Sequence, residues 1–346
     1  MEVVTIHAVQ WEITMACNLA CEYCYNVIQV PRPCHHTPSL SRSHALDIAS
    51  RIVEANIKRV VLSGGEPLIR PDIVVEVGQF LSTQGVAVSV ITNGTTLTEK
   101  LAKKLKKAGV EVFVSLSAPL ESLHDDLVQM IGAYRKSVRG IEILVKEGFS
   151  TGINMVVSQK NKDFVTNMGF FVCNLGVKEF SASRFIPPWN SRGNPKIEAL
   201  VLDPPDVRKM FSDLKFLREQ TNLIIRTQGC YPLCLMADFS GPTQLKYCSI
   251  GGPALAIGVR GEIRPCAFMP QVYGNVLTEG FKPALSRMSV WREDAVLPAK
   301  CRTCELVRRC TGGCRVAAHF SGNVNGLDMH ASPLALEAAL GHAEGG

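Results

Sequence analysis

Hydrophobic and polar positions alternate in a regular order from residue 7 to about residue 185. Short apolar runs that read as buried strands are separated by longer stretches with helical periodicity, and this order predicts βα units around a parallel sheet. The predicted strands are His7–Thr14, Arg59–Ser63, Ala87–Thr92, Glu111–Ser117, Gly152–Val157 and Glu179–Phe185. The predicted helices are Ser43–Ala55, Ile73–Gln84, Thr98–Ala108, Tyr134–Lys146, Asp163–Leu175 and Pro204–Gln220. We therefore predict an α/β fold, a partial (β/α)6 barrel of the TIM type, with eight-stranded closure as the alternative.

The pattern changes after residue 225, where the chain becomes rich in Cys, Gly and Pro. Two short strands, Leu255–Val259 and Glu262–Pro265, are predicted to form a hairpin that turns at Arg260-Gly261. We expect residues 1–225 to form the barrel, residues 226–332 a small Cys-rich domain, and residues 333–346 a tail with a short helix.

Composition argues against a disordered, nucleic-acid-binding, membrane-spanning or disulfide-rich secreted protein. The chain has 346 residues, 46% of them hydrophobic and 20% charged, and is therefore globular. The net charge of +6 comes partly from the run Lys100–Lys107, which we interpret as a solvated helix face rather than a nucleic-acid site. No apolar run is long enough to span a membrane, and the N-terminus lacks a signal peptide, so we expect a cytoplasmic protein. Thirteen cysteines in such a protein indicate metal binding rather than disulfides.

Three of these cysteines, Cys17, Cys21 and Cys24, follow the first predicted strand with CxxxCxxC spacing. A [4Fe–4S] cluster requires four ligands, usually thiolates, so this loop would leave one iron without a protein ligand. Zinc is the alternative, but zinc-finger sites favour two pairs of ligands, and no partner pair lies nearby.

A second motif, Gly64-Gly65-Glu66-Pro67, follows the second predicted strand. The glycines allow positive φ and close approach of backbone to a ligand, and Glu66 offers a carboxylate for an ammonium group. Asn93 ends the third strand, and Ser115 and Ser117 close the fourth. All of these elements fall at the carboxyl ends of the strands, where barrel enzymes place their chemistry.

At these residues the chain resembles the radical S-adenosylmethionine (SAM) superfamily. The resemblance implies that the open iron is chelated by SAM and that an electron from the cluster splits SAM to a 5′-deoxyadenosyl radical. It also implies that Gly64, Gly65, Glu66 and Pro67 bind the SAM amino group and that Ser115 and Ser117 reach the ribose or carboxylate. Asn93 would contact SAM or cap its turn. Arg184 would pair with the SAM carboxylate or form a structural salt bridge.

The remaining cysteines resemble the SPASM extension of that superfamily. Cys248 precedes Gly261 and Cys266 in a CX12GX4C pattern, and the run Cys301-x2-Cys304-x5-Cys310-x3-Cys314 follows. The resemblance assigns Cys248, Cys266 and Cys314 to one auxiliary cluster and Cys301, Cys304 and Cys310 to a second. A zinc ribbon is the alternative for the run 301–314.

The chain departs from the SPASM pattern at its end, because no seventh cysteine follows the run. Asp328 or His330 is the candidate substitute ligand for the second auxiliary cluster, unless an iron is open or the cluster is lost. For the first cluster, Cys230 or Cys234 is the candidate fourth ligand, unless that site is open to substrate.

SPASM members act mostly on peptides and proteins, so the resemblance favours maturation of a ribosomally made precursor peptide by splicing, cross-linking or a similar reaction. Only about ten residues precede the first strand, so we expect leader-peptide recognition by a separate partner protein, and an external electron donor. The alternatives are a small-molecule substrate such as a tetrapyrrole or a cofactor precursor, and a non-catalytic Fe–S or zinc protein. No catalytic acid or base is identified.

Overall fold

The computed structural model describes residues 5–28, 40–236, 247–293 and 296–331. Cys34 and the predicted tail 333–346 lie outside these ranges. No helix within them is long and apolar enough to cross a membrane.

One ten-stranded sheet organises the chain, with strand order β10-β9-β8-β1-β2-β3-β4-β5-β6-β7. Strand β8 and strands β1 to β7 form a continuous parallel array, and β9 and β10 are antiparallel additions next to β8. The strands are β1 Ala8–Thr14, β2 Arg59–Gly64, β3 Ala87–Thr92, β4 Val110–Ser115, β5 Gly152–Val157, β6 Glu179–Arg184, β7 Ile224–Thr227, β8 Ala254–Ile257, β9 Glu262–Arg264 and β10 Gly274–Asn275.

Helices connect the parallel strands and cover the sheet. They are α1 Arg42–Glu54, α2 Pro71–Thr83, α3 Glu99–Lys107, α4 Glu121–Val128, α5 Ala133–Lys146, α6 Val165–Asn174, α7 Pro195–Glu198, α8 Pro204–Gln220, α9 Phe281–Arg287, α10 Ala299–Arg302, α11 Val307–Cys310 and α12 Arg315–Ser321. Some of the helices begin at residues whose side chains satisfy free backbone N–H groups. Ser41 Oγ accepts from His44 N at the start of α1, and Thr98 Oγ1 accepts from Leu101 N at the start of α3.

The six strands and six helices predicted from the pattern are confirmed, with ends that differ by one or two residues. The elements that were not predicted include β7 and α4. Strand β7 has only four residues, three of them outside the core, and α4 is a mostly polar helix with the sequence ESLHDDLV. Both are too short, or too polar, for their periodicity to stand out.

The predicted hairpin is also confirmed, and it continues the barrel sheet. Strand β8 pairs in parallel with β1, from Ala8 opposite Ala254 to Trp11 opposite Ile257. Trp11 is fully buried in the main hydrophobic core, together with apolar residues from both faces of the sheet. The sheet therefore runs across the predicted boundary at residue 226.

A buried ion pair joins the hairpin to the first strand. Arg264 of β9 and Glu12 of β1 approach within 2.5 Å, and both side chains are at most 3% exposed. Burial raises the pKa of Glu12, while the charge of Arg264 opposes that effect. Removal of one partner of such a pair leaves the other charge buried without compensation.

We predict that Glu12→Gln lowers the free energy of unfolding in urea by about 3 kcal/mol or more. The matched control is Glu76→Gln, whose partner Arg42 is 75% exposed, and that change should cost less than about 1 kcal/mol. Equal losses for the two variants would contradict the structural role of the buried pair.

Candidate active site

The three clustered cysteines lie on a loop, residues 15–24, that leaves the carboxyl end of β1; we call it the cysteine loop. Backbone hydrogen bonds fix it to the end of α4, from Ala20 N to Val128 O at 3.0 Å and from Glu22 N to Leu127 O at 3.0 Å. The Cys17 and Cys21 side chains pack beside Leu19 and Val128. All three cysteines are partly exposed, so the loop presents thiols without burying them completely.

The Gly-Gly-Glu-Pro turn, Gly64–Pro67, contacts the start of the cysteine loop through its backbone. Gly65 N donates to Thr14 O at 2.6 Å, and Glu66 N donates to Ala16 O at 2.8 Å. A Cβ at Gly64 or Gly65 would lie less than 3.0 Å from the carbonyl oxygen of Thr14 or Ala16, respectively. Gly64 also has a φ of +136°. The glycines thus allow the turn to lie directly against the cysteine loop.

The Glu66 carboxylate is buried. It accepts hydrogen bonds from Leu68 N at 2.9 Å, Thr92 Oγ1 at 2.7 Å and Asn93 N at 2.7 Å. Burial raises the pKa of Glu66, and the donors from Asn93 and Thr92 oppose this effect. The side chain thus ties the turn to the end of β3, and its expected contact with the ammonium group of SAM stays a prediction.

Asn93 caps its turn and also contacts the cysteine loop. Its Oδ1 accepts from Thr95 N at 3.0 Å, and its Nδ2 donates to Asn18 Oδ1 at 2.9 Å. Asn18 Nδ2 in turn donates to Thr95 Oγ1 at 2.8 Å. Of the two alternatives for Asn93, the structure shows the turn cap.

Ser115 and Ser117 lie at the end of β4, Ser115 partly exposed and Ser117 buried. The Ser117 hydroxyl forms a hydrogen bond with the hydroxyl of Tyr23 in the cysteine loop. Burial, followed by the nearby charge of Cys21, holds the pKa of Tyr23 well above its usual value. Ser117 thus supports the cysteine loop from the fourth strand.

Arg184 forms the structural salt bridge that was one of its two alternatives. Its Nη1 and Nη2 lie 2.8 and 2.6 Å from the two oxygens of Asp328, and both side chains are at most 1% exposed. Burial opposes ionisation of Asp328, but Arg184 holds the pKa of that carboxyl below its ordinary value. Pairing of Arg184 with the SAM carboxylate, the other alternative, stays a prediction.

Asp328 and His330, the candidate iron ligands of the second auxiliary cluster, lie in the same buried network as Arg184, and iron binding by either one stays a prediction. Asp328 Oδ2 accepts from Cys314 N at 2.7 Å besides Arg184. His330 Nδ1 contacts Arg184, and its Nε2 donates to Leu202 O at 2.7 Å. Burial and Arg184 lower the pKa of His330 to about 4, so the imidazole is neutral. Both side chains are occupied within the protein.

The cysteines beyond residue 225 lie around the hairpin and the short helices that follow it. Cys248, Cys266 and Cys314 pack in one cluster with Ile250, Met269 and Val316. Cys301, Cys304 and Cys310 lie on and between α10 and α11. The Tyr25 ring, directly after the cysteine loop, lies 4.8 Å from the Phe268 ring, two residues after Cys266. The two cysteine regions are therefore in contact.

The three cysteines of the cysteine loop supply thiolates, the usual protein ligands of an iron–sulfur cluster. Among the described residues, no three Cys, His, Asp or Glu side chains converge on a position for one metal ion.

The Radical SAM superfamily model matches residues 11–164, the segment that carries the cysteine loop and the Gly-Gly-Glu-Pro turn. Residues 11–164 therefore form a radical SAM domain. Members of that superfamily bind a [4Fe–4S] cluster and SAM, and the three thiols of the cysteine loop fit that cluster because they leave one iron for SAM.

Similarity extends beyond the matched segment. The AdoMet-dependent heme synthase of Methanosarcina barkeri is 27% identical over 330 residues, 90% of this chain and 91% of that protein. The mycofactocin maturase MftC of Mycolicibacterium smegmatis is 26% identical over 320 residues, 90% of this chain and 79% of that protein.

Among solved structures, SuiB of Streptococcus suis superposes with a TM-score of 0.73 at 17% identity, covering 95% of this chain and 78% of that one. SuiB has also been solved with S-adenosylmethionine and with the precursor peptide SuiA. The chain thus has the fold of SPASM-type radical SAM enzymes, which carry auxiliary clusters in addition to the SAM-binding one.

Sequence reasoning missed Asn18, Tyr23 and Thr92, which join the cysteine loop and the Gly-Gly-Glu-Pro turn to neighbouring strands. Asn18 and Tyr23 lie inside the CxxxCxxC motif itself. Their position was the only available signal, since their partners Asn93 and Ser117 are 75 and 94 residues away.

We predict that Gly65→Ala lowers the free energy of unfolding by about 2 kcal/mol or more, because the added methyl group overlaps backbone that cannot move freely. Gly85→Ala is the control: Gly85 has a φ of +77° but nothing within 4 Å of an added Cβ, so about 1 kcal/mol is expected. Urea unfolding measures both. A smaller loss for Gly65→Ala than for Gly85→Ala would contradict the close backbone contact.

Proposed function

We propose that the protein cleaves SAM reductively at Cys17, Cys21 and Cys24 and abstracts a hydrogen atom from an organic substrate. The observation that carries this proposal is the direct backbone contact between the cysteine loop and the Gly-Gly-Glu-Pro turn at the carboxyl edge of the sheet. The cluster, when bound, supplies the electron for SAM cleavage. The protein holds its three ligands in place and positions the turn beside the open iron.

The contribution of Glu66 to SAM binding is indirect in this proposal. Its buried carboxylate fixes the turn to Thr92 and Asn93, so backbone groups of Gly64 to Pro67 are held at the edge of the site. Polar backbone groups in a glycine turn can approach a ligand more closely than side chains can.

We infer a peptide as the substrate, as expected from the cysteine pattern. Support comes from MftC, a maturase similar over 90% of this chain, and from SuiB, whose fold is shared and which binds the precursor peptide SuiA. A separate leader-binding protein and an external electron donor complete this proposal.

A tetrapyrrole is the second candidate substrate. Three AdoMet-dependent heme synthases are 25–27% identical to this chain, and each alignment covers at least 90% of this chain. The alignment covers 91% of the M. barkeri enzyme but 79% of MftC, and this fuller coverage favours the alternative.

We predict that the anaerobically reconstituted protein with dithionite converts SAM into 5′-deoxyadenosine and methionine. Alanine at Cys17, Cys21 and Cys24 should reduce 5′-deoxyadenosine at least about 100-fold, because removal of all three thiolates leaves the cluster without its protein ligands. Cys173→Ala in α6 is the control and should retain turnover. Turnover by the triple variant would refute the assignment of the cysteine loop.

Substrate class is tested by isotope transfer. We expect a peptide encoded beside the gene for this protein, deuterated at its side chains, to transfer deuterium into 5′-deoxyadenosine. A deuterated tetrapyrrole carboxylic acid is assayed in parallel by mass spectrometry. Transfer from the tetrapyrrole and not from the peptide would overturn the peptide proposal and establish the second candidate.

A further inference from the structure

A short turn after β7 lies between the two groups of auxiliary cysteines. It contains Cys230 and Cys234, four residues apart, with Cys234 in a 3-10 turn spanning Leu233–Met236. The buried Tyr231 anchors it, since its hydroxyl accepts from Arg184 N at 3.0 Å. We call residues 230–234 the bridging turn.

Cys230 lies beside the first group of auxiliary cysteines, which consists of Cys248, Cys266 and Cys314. The Cys230 and Cys248 thiols are close neighbours. The Arg184–Asp328 ion pair holds the backbones of Cys230 and Cys314. Arg184 Nη2 donates to Cys230 O at 2.7 Å, and Asp328 Oδ2 accepts from Cys314 N at 2.7 Å. One buried pair therefore positions the backbones of Cys314 in the first group and of Cys230 beside it.

Cys234 lies beside the second group of auxiliary cysteines, which consists of Cys301, Cys304 and Cys310. The residue before Cys234, Leu233, donates its N–H to Cys310 Sγ at 3.3 Å, so the bridging turn directly contacts that thiol. The thiols of Cys310 and Cys234 both lie close enough to Cys301 to interact with it electrostatically.

The downstream residues leave the second group short of one ligand. Cys314 packs with Cys248 and Cys266, so the run 301–314 leaves three thiols for a second cluster. Asp328 and His330 are engaged with Arg184, Cys314 N and Leu202 O. A [4Fe–4S] cluster requires one more ligand than these three.

We propose that the bridging turn supplies one thiolate to each of two auxiliary [4Fe–4S] clusters. Cys230 completes the first with Cys248, Cys266 and Cys314, and Cys234 completes the second with Cys301, Cys304 and Cys310. A ligand from upstream of the hairpin thereby replaces the absent C-terminal cysteine. This inference rests on the auxiliary clusters that the SPASM cysteine pattern implies, and not on SAM cleavage or on any substrate.

The test uses the full chain with Cys17, Cys21 and Cys24 changed to alanine, which removes the SAM-binding cluster from the measurement. After anaerobic reconstitution this parent should hold about eight irons, two clusters of four. Adding Cys234→Ala should remove about four irons or convert one cluster to a [3Fe–4S] form with a new electron paramagnetic resonance signal. Adding Cys230→Ala instead should remove or convert the first auxiliary cluster. The second cluster then remains, and its spectrum should differ from that of the first.

Two further variants serve as controls. Cys173→Ala in the same parent should keep about eight irons. His330→Gln should also keep them, since His330 is not a ligand in this proposal. Should Cys234→Ala fail to fold, as judged by circular dichroism, Cys234→Ser is used, and a shift in the reduction potential of one cluster is expected.

The proposal is overturned if Cys234→Ala retains about eight irons with unchanged spectra, or if His330→Gln loses a cluster. A parent that binds no iron also overturns it. In that case SAM cleavage by the unmodified protein would still stand, so the failure of this inference is distinguishable from failure of the proposed function.

Discussion

The close backbone contact between the Gly-Gly-Glu-Pro turn and the cysteine loop is the constraint on which the site depends. Strands β1 and β2 are neighbours in the sheet, and their carboxyl ends bring the two loops to the same edge. Gly64 and Gly65 then allow the loops to meet through hydrogen bonds to Thr14 and Ala16. Glu66 extends the contact to β3 through Thr92 and Asn93. Side chains at Gly64 and Gly65 would move the Gly-Gly-Glu-Pro turn away from the thiols of the cysteine loop.

The two cysteine regions are built on one continuous sheet. Strand β8 of the hairpin pairs with β1, and the buried pair of Arg264 and Glu12 holds the hairpin to the same strand. Tyr25 and Phe268 then place the end of the cysteine loop beside Cys266. Movement of the auxiliary cysteines relative to the cysteine loop would therefore break buried contacts.

The fold followed from local patterns, whereas several side-chain roles did not. Apolar periodicity located β1 to β6 and their helices because those elements are long and largely buried. Glu66 and Arg184 were assigned from residue type and position at strand ends, but the partners that occupy them are set by tertiary structure. Asp328 lies 144 residues from Arg184, and the Asn93 N–H lies 27 residues from Glu66. A sequence without an alignment carries no signal for such pairings.

The most direct test of the central claim is anomalous diffraction at the iron edge from anaerobic crystals grown with SAM. We expect four irons beside Cys17, Cys21 and Cys24, with one iron bound by SAM and by no protein side chain, adjacent to Gly64 and Gly65. A single metal ion at these thiols, or a fourth protein ligand on that cluster, would contradict the account.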